Sequence, residues 1–243
     1  MKALSIIIPT LNEEAYVAKT LRHLSILELR DTEVIVVDAG STDGTLDIVG
    51  QFDTKILKTN IEGRAYQMHE GVLESTGKHI CFLHADTLVP TNLQAIIDKT
   101  LENKSVVMGG FVSLMRGNKT RYWFSFLNYI KTYLCPLFYR PLSFFGSGLK
   151  LLFGDQVMFC RRADYIKSGG FDTTVRVMEE AALCLKMNRL GQIKMVHQLV
   201  YSSDRRVSEW GFWKSNRIYL YIAFGWAFGL SNAKLERLYS HIR

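Results

Sequence analysis

Proline is scarce in this chain, four residues in 243, and so is cysteine, four residues with no C-x-x-C pair among them. So little proline excludes a proline-rich linker, and that cysteine spacing offers neither a zinc site nor a disulfide framework. Cys81 and Cys160 sit inside apolar runs, where free cysteine behaves as a small hydrophobe. A reduced, cytoplasmic protein is therefore expected. No stretch reaches the ~20 consecutive apolar residues of a spanning helix. The nearest, "IYLYIAFGWAFGL" at 218–230, reads as a buried or interfacial helix. The opening "MKALSIIIPTLNEE" breaks at Pro9 with no small-residue cleavage site, so it reads as a first strand and not as a signal peptide. Neither G-x-G-x-x-G nor G-x-x-x-x-G-K-[ST] occurs, which removes the usual dinucleotide and P-loop cradles. Basic residues do not run together with interleaved aromatics, so no nucleic-acid partner is expected.

What is present is a chain with 48% hydrophobic residues, enough for a substantial core, and a formal net charge of +7. That charge suits acidic ligands such as phosphates or anionic lipid without naming one. The segment "RYWFSFLNYIKTYLCPLFYRPLSFF" (121–145) is dense in aromatics punctuated by Arg121, Lys131 and Arg140. Together with 218–230 it raises peripheral contact with the inner face of a membrane as an expectation.

Short β-branched runs alternate with helical periodicity through the first hundred residues. Strands are expected at 3–8, 33–37, 54–59 and 79–83, and helices at 12–27, 41–52, 63–76 and 91–104. Strands that are apolar throughout imply a mostly parallel sheet covered on both faces by helices. Further strands are expected at 105–117, with a bulge at Gly109-Gly110, and at 155–160. A turn and an amphipathic helix follow at 169–191. One domain over 1–243 is expected, with a nucleotide-binding half (1–104) and an acceptor-binding half (105–243) that ends in helices.

Ligands of such sheets gather at the carboxyl ends of the strands. That rule brings together Thr10, Asp38 and the group His84 to Asp86. Thr10 and Glu13 in "PTLNEE" also have the spacing of a capping box, and Asp43 in "STDGT" can cap the following helix.

Taken in order, "SIIIPTLNEE", "VIVVDAGSTDGT", "FLHADT", "GDQVMFCRRADYIKSGGFD" and "MEEAALCLKMNRLG" resemble the family 2 glycosyltransferases, which have the GT-A fold. The similarity is greatest to a bacterial subgroup with "HADT" and "GDQ" signatures, the arsenosugar-biosynthesis type. The resemblance implies inverting sugar transfer from a nucleoside-diphosphate sugar to a hydroxyl acceptor, either a small molecule or a lipid. It implies a donor nucleotide site from Pro9, Thr10, Glu13, Asp38, Arg64, His84 and Ala85, and Asp86 as ligand of a divalent cation, Mg²⁺ or Mn²⁺. His84 stands where relatives often carry an acid that faces the ribose. Glu180 is implied as general base, with Glu179 structural or touching the acceptor, since neighbouring helical side chains are expected to diverge. Asp155 and Gln156 are placed in the acceptor pocket, and Arg205 and Arg206 at the diphosphate. Two rivals remain at this point. A nucleotidyltransferase of the same fold would want a glycine- and lysine-rich phosphate loop that "PTLNEEAYV" does not supply. A non-catalytic nucleotide-sugar binder or membrane-associated scaffold would have no use for Glu180.

Overall fold

The first strand, β1 (Leu4–Thr10), is buried at every position because helices cover both faces of its sheet. Its residues alternate between two apolar layers. Ile7 joins Ile35, Val37, Ile80 and Phe82 in one, while Leu4, Ile6 and Ile8 join Val36, Cys81 and Leu83 in the other. In this computed structural model the described residues are 2–117, 121–231 and 233–236, without the side chains of Arg206 and Ala227.

Helix α1 (Glu14–Ser25) follows and buries Val17, Thr20, Leu21 and Leu24, the i, i+3, i+4, i+7 stripe of a helix lying on a sheet. Then come β2 (Thr32–Asp38), α2 (Thr45–Val49), β3 (Lys55–Lys58), α3 (Arg64–Leu73), β4 (His79–Phe82), α4 (Leu93–Glu102) and β5 (Val106–Met115). The second half holds α5 (Tyr122–Tyr139), α6 (Pro141–Ser147), a 3-10 turn at Gly154–Gln156, β6 (Phe159–Arg161), α7 (Arg162–Lys167), α8 (Glu179–Met187), β7 (Gln192–Ser202), α9 (Arg205–Trp210) and α10 (Phe212–Ala227). Helices α3 and α8 cover one face of the sheet and α1, α2 and α4 the other. Among the described residues no helix is long and apolar enough to cross a membrane.

All seven strands form one sheet in the order β3-β2-β1-β4-β6-β5-β7. Only β6 runs antiparallel to its neighbours; the remaining pairs are parallel. The expected α/β architecture is present, with three local differences. The strand expected at 155–160 is reduced to 159–161, because the 3-10 turn and Val157, held at φ 47°, interrupt the extended run. Register shifts in β5 fall at Val106/Met108 and Phe111/Val112, on either side of the glycine pair. Gly109 serves close packing instead: a Cβ there would lie 2.3 Å from the Phe159 ring. Finally, β7 lies in a stretch that carried no strand expectation.

Proline 136 sits inside α5 and lacks the N–H that would serve the Thr132 carbonyl. That carbonyl accepts the Leu151 N–H at 3.2 Å. The exchange ties α5 to the segment leading into the 3-10 turn.

Candidate active site

The carboxyl ends of β1 and β4 open into a cleft of about 930 Å³, closed on its far side by α5, α8, α9 and α10. Of the residues expected at the site, Pro9, Thr10, Glu13, Arg64, His84, Ala85, Asp86, Asp155, Glu180 and Arg205 line it.

On the near side, two loops are laced together. Asn12 accepts the Thr42 N–H at 2.9 Å, Thr45 Oγ1 accepts the Glu13 N–H at 2.8 Å, and Asp43 accepts the Glu14 N–H at 3.2 Å. Glu14 returns the bond by accepting the Gly44 N–H at 3.0 Å. The capping box expected from Thr10 and Glu13 does not form. Thr10 donates its hydroxyl to Asp38 Oδ2 at 3.0 Å, and Glu13 faces Arg205. Asp38 is 1% exposed and does not line the cleft. Its carboxylate accepts from the Gly40 and Ser41 N–H groups at 3.0 and 2.8 Å, and from the Ser41 and Thr10 hydroxyls. Four donors use the acceptor sites of a carboxylate, so Asp38 shapes the wall from behind, a different place from the crevice expected of it.

Asp86 lies at the end of the turn after β4. Thr20 anchors that turn by donating to the Ala85 carbonyl at 2.7 Å. Arg205, at the start of α9, crosses to this side. Its Nη1 and Nη2 donate to Glu13 at 2.7 and 2.6 Å, a two-pronged charge-assisted pair, and its Nε lies 3.4 Å from Asp86 Oδ2. The guanidinium also stacks over the Tyr16 ring at 4.9 Å. Arg205 thus joins the β1 loop, the β4 turn and α9 at one point.

On the far side Arg64, at the start of α3, reaches two acids of α8. Its Nη2 lies 2.8 Å from Glu179 Oε1 and 3.9 Å from Glu180 Oε1. The neighbouring acids, expected to diverge, therefore converge on one guanidinium. They occupy the first turn of α8, and Met178 before them holds the left-handed φ of 62° that aims the helix start. One cation cannot neutralise two buried carboxylates. Burial, and then the Glu179 charge, push Glu180 up from its ordinary 4.5 to about 7, against the pull of Arg64. Glu179 is 2% exposed and stands behind the lining.

Gly154 packs against both His84 and Glu180. A Cβ there would lie 2.5 Å from Glu180 Oε1 and 2.6 Å from His84 Nε2, so a larger residue would push both side chains out of place. Asp155, next to it, accepts from Asn128 Nδ2 at 2.6 Å. Gln156 differs from its expected place in the pocket. It is 1% exposed, donates to Thr132 and accepts the Phe153 N–H, so it braces the 3-10 turn from inside. The side chain of Arg206, the other residue expected at the diphosphate, lies outside the described residues.

Among the described residues no three His, Cys, Asp or Glu side chains gather as a metal cage. The donor set at Asp86 is one carboxylate at a strand end beside open volume. That suits a hard cation that takes its other oxygens from phosphates and water.

A glycosyl transferase family 2 sequence model matches residues 5–165. The chain belongs to that family. Curated relatives align over short stretches. The Staphylococcus aureus poly(ribitol-phosphate) beta-N-acetylglucosaminyltransferase TarS is 32% identical over 97 residues, which is 37% of this chain and 17% of TarS. A Mycobacterium tuberculosis PGL/p-HBAD biosynthesis glycosyltransferase is 39% identical over 88 residues, 34% of each chain. The match thus spans only 17% and 34% of those relatives' own lengths. Among solved structures, a Pyrobaculum calidifontis mannosyltransferase in complex with GDP-Man and Mn²⁺ superposes with a TM-score of 0.69 at 20% identity, covering 96% of this chain and 64% of that one. Glucosyl-3-phosphoglycerate synthase from M. tuberculosis, with Mn²⁺, UDP and glucosyl-3-phosphoglycerate, gives 0.67 at 18% identity over 95% and 81%. These likenesses show the GT-A fold of family 2.

Within this family 2 chain, Gln67 carried no signal as a site, and Lys131 was marked only as one of the cations that punctuate the aromatic segment 121–145. Gln67 is buried in α3 and donates to the carbonyls of Thr10 and Val37 at 2.8 and 2.7 Å, pinning the ends of β1 and β2 together. Lys131 lines the cleft between the Phe153 and Tyr219 rings, at 4.9 and 5.5 Å. Burial lowers its pKa while the Asp155 charge opposes that shift. The signal that could have found it is the polar set Asn128, Lys131 and Thr132 on one side of an otherwise apolar helix.

Proposed function

We propose that this chain transfers a sugar from a nucleoside-diphosphate sugar to a hydroxyl acceptor with inversion, and that Glu180 is the general base. The observation that carries the reading is Glu180 itself. It is a buried carboxylate on the far wall of the cleft, opposite the strand ends that hold donors in such sheets, with a pKa raised to about 7. A base of that pKa is divided between its two forms near neutral pH, where proton uptake in the transition state is most effective. The acceptor oxygen would attack the anomeric carbon, the bond to the diphosphate oxygen would break, and the acceptor proton would pass to Glu180.

Thr10, Pro9 and the 84–86 turn would seat the nucleotide, and Asp86 would hold a divalent cation shared with the donor's phosphates. That cation, Mg²⁺ or Mn²⁺, would supply positive charge to the departing diphosphate. Arg205 is the chain's own charge at the same place, tied to Asp86 and Glu13. The GDP-Man and UDP complexes of the structural neighbours, two with Mn²⁺, support this donor class and this cation. Arg64 would hold Glu179 as a fixed counter-charge and so set the proton affinity of Glu180. Asp155, Asn128 and Lys131 would bound the acceptor.

A thermal-shift series with nucleoside diphosphates and nucleotide sugars, each with Mn²⁺, Mg²⁺ or chelator, tests the donor half of this reading. A ligand that binds only the folded state raises Tm. One nucleotide whose stabilisation needs the cation is the expected result. No shift with any nucleotide would overturn the assignment of the cleft as a donor site.

A further inference from the structure

Among the described residues nothing covers the outer faces of α5, α6 and α10, and their chemistry is one-sided. Of the nineteen large hydrophobic residues exposed among the described residues, thirteen fall between 122 and 145 or between 212 and 228. Leu142 is 89% exposed, Phe228 78% and Trp213 77%. From 121 to 150 there are four basic residues and no acid, and from 211 to 231 there are Lys214 and Arg217 and no acid. Arg140, Lys214 and Arg217 are exposed.

These residues form one continuous surface. Helices α5 and α10 lie side by side and run the same way. Trp123 meets Phe212 at their starts, with ring centroids 6.4 Å apart, and Tyr139 meets Phe228 at their ends, 6.0 Å apart. Along α10 the exposed stripe is Trp213, Arg217, Leu220, Phe224 and Phe228, spaced three or four residues apart on one face. Aromatic rings interleaved with cations along one helical face are the pattern of a helix lying in the boundary between lipid headgroups and acyl chains. With 16 residues, α10 is too short to span a bilayer.

We infer that the outer face of α5, α6 and α10 docks on the surface of an anionic phospholipid bilayer. Charge decides the occupant. A second copy packed two-fold on this face would bring two cationic, acid-free surfaces together, whereas an anionic bilayer complements Arg140, Lys214 and Arg217. The inward faces of the same two helices carry Lys131, Tyr219 and Ile222 into the cleft. Docking would therefore hold the acceptor end of the cleft close to the membrane plane. This inference does not depend on sugar transfer and is tested without turnover.

The test is flotation of the full chain with neutral phosphatidylcholine vesicles and with vesicles containing about one quarter phosphatidylglycerol. Binding to the anionic vesicles at least ~10-fold tighter than to neutral ones is expected, with loss of binding in about 0.5 M salt. The double variant K214E/R217E is expected to weaken binding at least ~10-fold, and W213S/F224S comparably, each with the wild-type Tm. Three results would overturn the inference: failure to float with either vesicle, flotation insensitive to both variants, or a dimer in sedimentation that W213S/F224S converts to monomer.

Discussion

At the ends of β1 and β2, polar side chains are held by several bonds each: Asp38 takes four donors, and Gln67 bridges two strand-end carbonyls. Across the cleft, two carboxylates share one guanidinium, and Met178 and Val157 hold left-handed backbone that side chains with a Cβ rarely adopt. The near wall has its own left-handed residue, Asn12, and its own shared guanidinium, Arg205 between Glu13 and Asp86. But asparagine tolerates that backbone, and those two acids are less buried than Glu179 and Glu180, so the near wall is the more relaxed of the two and the far wall the more strained. The contrast fits a division of labour. A nucleotide needs a rigid seat, whereas proton transfer needs a group whose two charge states lie close in free energy, and that is what crowding Glu179 and Glu180 on Arg64 produces.

The sharpest test of this contrast is Glu180→Gln. It leaves the relaxed wall untouched, so nucleotide-induced stabilisation is expected to persist while turnover falls about 10³-fold, measured as nucleoside diphosphate release. Asp86→Asn probes the opposite wall. Turnover is expected to fall on the order of 10²-fold, and the cation-dependent part of the nucleotide thermal shift to vanish. Arg205→Ala removes the tie between the walls and leaves the Glu13 and Asp86 carboxylates facing each other. Denaturant titration is expected to show a loss of about 1–3 kcal/mol, with Arg205→Lys restoring only part because an ammonium lacks the two-pronged geometry.

The smallest effect is a linkage. Folding raises the pKa of Glu180, so its neutral form is the one the fold accommodates. The stability tied to it is fully present below about 4.5 and is lost as pH rises through about 7. Tm is thus expected to decline across that window in the wild type more than in Glu180→Gln. Parallel declines would remove the strained wall from the account.

Much of the relaxed wall was legible in the sequence, because it rests on short strands that are apolar throughout and on the rule that ligands collect at their carboxyl ends. Thr10, His84, Ala85 and Asp86 were reached that way. The misreadings there are local. The T-x-x-E spacing of Thr10 and Glu13 satisfies a capping box, yet Asp38 and Arg205 compete for those side chains from positions far along the chain. Legibility falls on the strained wall. Nothing in "MEE" says that the residue before the acids turns left-handed, or that an arginine 115 positions earlier reaches both of them. Gln156 sits in a signature-like triplet but turns inward to Thr132, because the 3-10 turn needs bracing where Val157 is strained. Helical periodicity marks α5 and α10 as apolar without saying which side faces the cleft.

The central claim, that Glu180 takes the acceptor proton, is tested most directly by the pH dependence of kcat in wild type and Glu180→Gln. The account predicts that the wild-type rate falls as pH drops through about 7, because protonated Glu180 cannot accept a proton, and that this limb is absent from the residual activity of the variant. A wild-type profile flat across that range, or the same limb persisting in Glu180→Gln, would contradict it.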